Sequence, residues 1–485
     1  MVTADERLEE KPPYGAVDTE KNAAVTTNDG PVTIWTRIRD LAHRAIVAGR
    51  VELRGVAPIP VKERTVDRTI NIFTLWWSMN ANILPIAFGM IGPASGLSLR
   101  DSALVILFFV LLTTLLPAYL STLGPKIGMR QMIQARYSYG RYLVSIPVFL
   151  NLATMTGFCI IIAVIGGQCL SAVADGNLSV TVGIVIISLV TLVISFCGYK
   201  WLHIYERYAW IPAFIAIIVA AGCGGKDLAN QVPTEPAKAS AVLSYGMIMA
   251  SYMVPWACLA SDFTTYLKPE TSSVKIFCYS YFGLATPTIL LMTLGAAVGG
   301  AIPNNPHWQA KYDESLVGGI LDAMLAPAGG FGKFLVVVLA FTLLGNLAAT
   351  SYSITLNFQM LVPVLFKYRR GGQFFLNMEN FLALIGYWSS AFLGVVLVEH
   401  FVYRKGDCSR YDPEAWNDAR LLPWGVAALA SSALCFAVVV PSMAQVWWTG
   451  PIARTTGDIG FELAFVVSAL LYVPLRWVER RYLGR

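Results

Sequence analysis

Apolar residues run along this chain in long unbroken blocks rather than in the alternation of half-buried strands or the narrow stripe of a soluble helix. A bilayer core about 30 Å thick needs roughly 20 apolar residues in helix. Eleven segments meet or approach that length: about 71–94, 102–123, 143–172, 177–198, 207–224, 241–261, 275–300, 333–362, 381–403, 422–442 and 457–475. Ten-residue alternating segments of the barrel type do not occur, so the pattern predicts spanning helices. Residues 1–32 are polar and predict a disordered tail, and no short apolar stretch with a cleavage signature opens the chain. In the juxtamembrane segment 33–70, residues 33–50 place Trp35, Ile38, Leu41, Ala42 and Ile46 near one helical face with basic residues elsewhere. That suits a helix on an anionic membrane surface, and it equally suits a soluble amphipathic helix.

Composition narrows the class. The chain has 485 residues, 56% apolar and 14% charged, against roughly 25% charged in a soluble domain. A water-soluble enzyme, a nucleic-acid-binding module and a disulfide-stapled secreted domain are excluded. The net charge of +6 comes with basic residues in short loops between apolar runs, so nucleic acid is not an expected partner. The eight cysteines form no CxxC, which leaves no zinc or redox motif. No cofactor is expected.

Loop charge then sets direction, because cytoplasmic loops are rich in Lys and Arg. Lys126, Arg130, Arg136 and Arg141, then Lys200 and Arg207, then Lys268 and Lys275 mark alternate loops. The basic N-terminal region is therefore expected inside, and the alternation holds through eight spans to Lys367, Arg369 and Arg370. There it fails. Only 381–403 separates that loop from Arg404, Lys405 and Arg410, and the tail 476–485, with Arg476, Arg480, Arg481 and Arg485, also reads as inside. An even number of spans satisfies every loop and eleven does not.

Five spans precede 241–261. Two successive five-span units therefore have opposite orientation, the inverted-repeat pattern of secondary transporters; here they read as 71–224 and 241–403, the second with only four spans and its fourth helix lacking. The spans 422–475 follow. The first span of each unit carries break signals: Ser78, Asn80 and Asn82 before Pro85 and Gly89, and Pro255 beside Trp256. Polar side chains and prolines inside a span are costly unless they face a cavity or a neighbouring helix. The paired pattern points to a binding site where the two breaks meet.

From about residue 51 onward the chain resembles the fungal purine-cytosine permeases of the nucleobase:cation symporter-1 family. The resemblance rests on VELRGVAPIP, ERTVDRT, WWSMNANILPIAFGMIGP, ARYSYGRY, CLASDFTTYLKP, GNLAATSYSITLNFQML, ENFLALIGYW, EHFVYRKG and YDPEAWN. It implies an all-α polytopic membrane protein with a LeuT-like 5+5 inverted repeat, twelve helices in the family, and cation-coupled uptake of small heterocycles. It also implies site residues. The family's first-span serine matches Ser78, with Asn80 behind it. Its third-helix aromatic, usually Trp, is Phe158 here. Its sixth-helix tryptophan matches Trp256. Two aromatic planes suit a flat heterocycle, because stacking buries π surface without fixing the identity of the base.

Three positions depart from the pattern. The asparagine one turn after the third-helix aromatic is Ile162. On the eighth helix the first asparagine survives as Asn346, while a proline becomes Ala349 and a second asparagine becomes Thr350. Asn offers a donor and an acceptor to an amide edge, and Ile offers neither. A vitamin-like heterocycle such as pyridoxine is therefore the rival to cytosine or a purine. Where sodium-coupled relatives carry hydroxyls, this chain has Leu344 and Gly345, which supply no side-chain oxygen for a hard cation. Protons are the expected coupling partner, with Asp262 and Glu399 as candidate carriers or, alternatively, helix-end anchors.

The resemblance also addresses the failed count. The family's ninth helix falls between Gln359 and Glu379, which are only 20 positions apart here. It is expected to be missing, leaving about eleven spans. The reading at this point is a plasma-membrane symporter working by alternating access. A non-transporting sensor or defective paralogue is the second class. A membrane enzyme lacks support: no HExxH, paired carboxylates or Cys/His set lies in the spans.

Overall fold

The computed structural model describes residues 55–484 apart from 176, 197–207, 209, 362–377 and 446–447. The expected tail 1–32, the amphipathic stretch 33–50 and the interval of the missing helix lie outside the described residues.

Helices lie on all eleven apolar segments. They are α1 (Ile70–Asn80) with α2 (Leu84–Gly89), α3 (Leu99–Ser121), α4 (Ser145–Val173), α5 (Val180–Phe196), α6 (Trp210–Cys223) and α7 (Ala239–Met253). Then follow α8 (Ser273–Ala301), α9 (Pro306–Leu325), α10 (Gly329–Leu361), α11 (Met378–Val398), α12 (Val426–Leu434) and α13 (Gly460–Leu483). Among the described residues, seven helical stretches are long and apolar enough to cross a membrane, and four shorter ones fill the remaining segments. A two-residue hairpin, β1 (Ala444–Gln445) with β2 (Trp448–Thr449), joins α12 to α13.

The helices are amphipathic in the sense opposite to a soluble protein. On α13, Val466, Leu470, Val473 and Trp477 are exposed, while Ser468, Tyr472, Arg476 and Glu479 are buried. On α3, Phe108, Leu112 and Leu115 face out and Thr113 and Thr114 face in. The buried hydroxyls are satisfied one turn back: Thr113 donates to the Phe109 carbonyl at 2.6 Å and Thr154 to that of Leu150 at 2.8 Å. Polar groups facing protein and apolar groups facing outward suit a hydrocarbon solvent.

Helix α9 is the element that the hydrophobic pattern did not predict. It carries Lys311, Asp313, Glu314 and Asp322, too many charges for a span. Asn305 caps it, accepting from the amides of His307 and Trp308 at 3.1 and 3.2 Å, with Pro306 at its first position. This is the usual N-terminal chemistry. Ser315 and Leu316 interrupt it, Leu316 at φ 49°.

Two of the sequence signatures meet in space. Arg136 of ARYSYGRY donates to the Trp416 carbonyl and to Asn417 Oδ1, both at 3.0 Å, and its guanidinium lies 5.3 Å from the Trp416 ring. Burial, with Arg141 nearby, pushes its pKa down to about 10. Tyr137 donates to the Asp412 carbonyl. Arg64 of ERTVDRT donates to the carbonyls of Ile59, Pro125 and Ile127 at 2.8, 2.8 and 3.2 Å. The motifs thus fasten loops to one another.

Helices α10 and α11 run towards the same face. Late in α10, Ser353 reaches Asp262, which also accepts from the Gln131 amide. At the end of α11, the His400 ring lies 6.0 Å from that of Tyr119, and Ser261 donates to the carbonyl of the adjacent Leu120. Both C-terminal ends therefore sit at the level where α3 ends. Early in α10, Lys333 pairs with Asp175, and in the first half of α11, Tyr387 bonds Asp458, both away from that end.

The outer half of the broken first helix is locked to α8 by glycines. A Cβ at Gly89 would stand 1.9 Å from the Met292 carbonyl oxygen, and one at Gly295 would stand 2.1 Å from that of Ile86. Only glycine allows the two backbones so close. Gly295→Ala is expected to cost about 1–3 kcal/mol by forcing the helices apart. A fluorescently tagged variant should then reach the cell surface poorly, and surface levels equal to wild type would show that the interlock is dispensable.

Candidate functional site

Two helix breaks build the site. Helix α1 ends at Asn80, and its cap Ala81 has ψ 62°, off the helical region. The chain bends through 81–83 and resumes as α2 with Pro85 in its first turn. Helix α7 gives way at Met253 to tight 3₁₀ turns, Val254–Cys258 and Ala260–Phe263, separated by Leu259 at φ −137°. Pro255 lacks the amide that would continue the helical ladder.

The two broken helices pack antiparallel. Tyr245 donates to the Gly89 carbonyl at 3.2 Å. The Tyr252 ring lies 4.8 Å from Phe88, and its hydroxyl donates to Asn80 Oδ1 at 3.1 Å. Trp76 stands edge-on to Trp256 at 5.8 Å and to Phe263 at 5.4 Å. This is the arrangement expected of the first helices of two inverted repeats.

The break in α1 frees the Met79 carbonyl, which α10 captures. Asn346 Nδ2 donates to it at 2.9 Å, and Asn82 Nδ2 does so at 2.8 Å. Thr350, one turn on, donates to Asn346 Oδ1 at 3.0 Å. Asn82 Oδ1 accepts from the Leu84 amide at 2.8 Å, closing the turn as a local cap. Each carboxamide has two donors and two acceptor positions. Asn346 and Asn80 each spend one donor and one acceptor here. Each keeps one of each, the complement of an amide edge. Ser78, 4% exposed, makes no side-chain hydrogen bond among the described residues.

The expected site residues divide into three groups. Ser78, Asn80, Trp256, Asn346 and Thr350 cluster at the breaks. Phe158 joins them through Tyr252, edge-on at 6.4 Å. Ile162, one turn beyond Phe158, is fully buried. Asp262 and Glu399 lie elsewhere. Asp262 Oδ1 accepts from the Gln131 amide at 2.8 Å, its carbonyl accepts from Arg130, and the Arg130 guanidinium lies between Tyr266 and Tyr352. Glu399 is held by Arg404 and Arg476 at 3.2 Å each and accepts from Tyr472 at 2.9 Å. Arg476 also pairs with Glu479 at 2.9 Å, and Glu479 accepts from the Val426 amide at 3.0 Å. Both carboxylates are anchored by fixed donors.

Tyr252 is the site residue that sequence reasoning missed. It lies four positions before Trp256, one helical turn, and that spacing was the available signal. Among the described residues no group of His, Cys, Asp and Glu is arranged to hold a metal.

Against known proteins, residues 58–413 match the family described as permease for cytosine/purines, uracil, thiamine and allantoin. The chain belongs to that family. It is 32% identical to the purine-cytosine permease FCY2 of Saccharomyces cerevisiae, over 91% of this chain and 89% of that one. It is 31% identical to the purine-cytosine permease fcyB of Emericella nidulans, over 99% and 98%. The vitamin B6 transporter TPN1 of Saccharomyces cerevisiae is 26% identical over 97% and 95%. Among solved structures, Mhp1, a nucleobase-cation-symport-1 family transporter, aligns in its closed, bromovinylhydantoin-bound form with a TM-score of 0.63 at 17% identity, over 88% of this chain and 95% of that one. Its inward-facing form aligns at 0.65 and 15%, over 89% and 95%. The family therefore has in this chain the LeuT-like fold expected of it, and the curated relatives named here are permeases or transporters.

Removing the Tyr252 hydroxyl tests the site directly. A neutral hydrogen bond is worth about 1 kcal/mol net, or about fivefold in an affinity. Tyr252→Phe is expected to raise KM for the transported compound by about that factor and to leave kcat close to wild type. An unchanged KM would remove the Tyr252–Asn80 contact from the site.

Proposed function

We propose that this chain is a plasma-membrane secondary transporter that takes up a nucleobase, cytosine or a purine, together with a proton, with its N-terminus in the cytoplasm. The observation that carries the reading is the meeting of two broken antiparallel helices at Asn80 and Tyr252. Broken helices leave backbone groups and polar side chains available at mid-membrane, and rocking of one repeat against the other exposes that point to each side in turn. Trp256 and Phe158 would bound the heterocycle, and the spare donors and acceptors of Asn346 and Asn80 would read its amide edge. Ser78 and Thr350 would complete the lining.

Coupling to protons rather than sodium is supported by Leu344 and Gly345, buried positions that offer no side-chain oxygen. The anchored state of Asp262 and Glu399 favours a structural part for both. Pyridoxine is the second reading. It is supported by Ile162, which supplies no polar group where a donor and acceptor would serve cytosine, and by the similarity to the vitamin B6 transporter.

We also propose that the natural transcript encodes a further helix between Leu361 and Met378. Successive helices that run towards the same face need a link that returns across the bilayer. Sixteen residues in helix reach about 24 Å, short of a core about 30 Å thick, and the interval contains Lys367, Arg369 and Arg370. Sequencing reverse-transcribed message across codons 359–379 is expected to yield an in-frame insertion rich in apolar codons. A message matching the present chain, with surface delivery of its product, would overturn this.

Function itself is tested by uptake of labelled cytosine, adenine, hypoxanthine and pyridoxine into yeast lacking its own carriers, with and without a proton uncoupler. Uncoupler-sensitive uptake of cytosine or a purine is expected, and Trp256→Ala at the surface should abolish it. Surface-delivered protein that moves none of the four compounds would sink the proposal.

A further inference from the structure

Helices α4 and α10 pack antiparallel in a register that two contacts fix. Just past the end of α4, Asp175 pairs with Lys333, early in α10, at 2.6 Å. Near the start of α4, Asn151 Nδ2 donates to Asn357 Oδ1 at 3.3 Å. The stretches 151–175 and 333–357 are equal in length, so the two helices run level with one another between these contacts. That register sets Ile162 level with Asn346 and Phe158 level with Thr350, on two walls of the proposed site. Positions 151, 158 and 162 share one face of α4, and 346, 350, 353 and 357 share one face of α10. The faces that bound the site therefore continue for two turns, about 10 Å, towards the end that carries Asp262. There each wall carries an asparagine.

Hydrogen-bond accounting at this inner level does not close. Asn151 is fully buried, and its Oδ1 has no donor. Asn357, 2% exposed, accepts from Asn151 and donates to the Ser353 carbonyl at 2.8 Å. One amide hydrogen and one acceptor position remain on it. Ser353 Oγ in turn reaches Asp262 Oδ2 at 3.5 Å, a long contact, and Asp262 Oδ1 accepts from the Gln131 amide. Gln131 is fully buried as well. Its Oε1 accepts from the Ser261 amide at 3.3 Å, and its Nε2 has no acceptor. One connected run of side chains thus holds an orphaned acceptor and an orphaned donor. Two asparagines whose task is only to tie helices together can close on each other, each carbonyl taking the other's amide. Here one of those two bonds is made, and the Asn151 carbonyl is left open.

We propose that Asn151 and Asn357 form a second binding station for the transported heterocycle, two turns inward of the central site, where it is held before release. The identity of the heterocycle rests on the reading under Proposed function. On leaving Asn346 and Asn80, an amide edge meets the same two kinds of group again, the open carbonyl of Asn151 and the spare amide hydrogen of Asn357. The α4 wall has no polar group at Ile162, so Asn151 is where that wall first offers one. The Ser353–Asp262 contact shuts the station from the inner face in this structure, and its parting opens the way out. Asn151 therefore acts on the release side of transport and Asn346 on the capture side.

The test separates the two directions. In yeast lacking its own carriers, KM is measured for uptake of labelled cytosine and for its efflux from preloaded cells, with surface-delivered wild type and Asn151→Leu. Loss of one neutral hydrogen bond is worth about fivefold, so the ratio of efflux KM to uptake KM is expected to rise by about that factor in N151L. An unchanged ratio would leave Asn151 as a tie between helices and overturn the station. If N151L does not reach the surface, Asn357→Leu takes its place in the same measurement. A second arm needs no transport. Ser353→Cys in inside-out vesicles is treated with a membrane-impermeant maleimide, and the peptide that carries position 353 is followed by mass. Labelling from this face is expected, and cytosine above its KM should slow it. No labelling from this face would overturn the proposal, and labelling indifferent to cytosine in a chain that transports it would place the ring elsewhere. Failure of wild type to carry any nucleobase counts against the proposed function, while labelling at position 353 still judges the inner station.

Discussion

A backbone carbonyl inside hydrocarbon must find a donor, and the Met79 carbonyl is where this structure meets that demand. The break after Asn80 strips it of its helical partner. Asn82 answers from within the turn and Asn346 from α10, with Thr350 holding the Asn346 carboxamide in place. The second break leans on the first through Tyr252 and Asn80. An unsatisfied group at this depth costs several kcal/mol, so the polar side chains that make the site are also those that make the broken helix tolerable. The proposed site and the fold thus share one set of hydrogen bonds, and the Asn346 carboxamide that holds the broken helix has a donor and an acceptor to spare.

The same constraint explains where charge is buried. Glu399, Arg476, Glu479 and Arg404 form a connected set at one end of α11, α12 and α13, each member facing an opposite charge or a fixed amide. Asp262 is tied down by the amide and guanidinium of neighbouring loop residues. Glu399 thus faces two guanidinium groups, and the Asp262 carboxylate accepts from a fixed backbone amide. Asp458, buried where the link before α13 meets α11, is held by amide and hydroxyl donors instead of a cation.

How much of this was legible beforehand varies with the range of the interaction. The apolar segments were readable because roughly 20 residues of hydrocarbon-compatible sequence is a local property, and helices occupy all of them. The breaks were readable from Pro85, Gly89 and Pro255, whose backbone effects are local too. Helix α9 was not, since its charges hide it from a hydropathy reading and its support comes from packing on other helices. Tyr252 was passed over because a tyrosine in an apolar helix is usually core, and only Asn80, 172 positions away, gives its hydroxyl a purpose.

Sequence alone thus determined the class, the placement of the apolar helices, the repeat and the family. Each rests on composition, on spacing along one segment, or on ordered motifs. Tertiary structure decided which polar residues are partners. It gave Asp262 and Glu399 the fixed donors of anchors, the alternative that the sequence had left beside proton carriage, brought Asn346 to the Met79 carbonyl, and gathered Tyr387, Gln445 and Asp458 from α11, the hairpin and the link before α13. In a low-dielectric interior the state of a polar group is fixed by what lies within a few ångströms of it, and those neighbours come from distant parts of the chain.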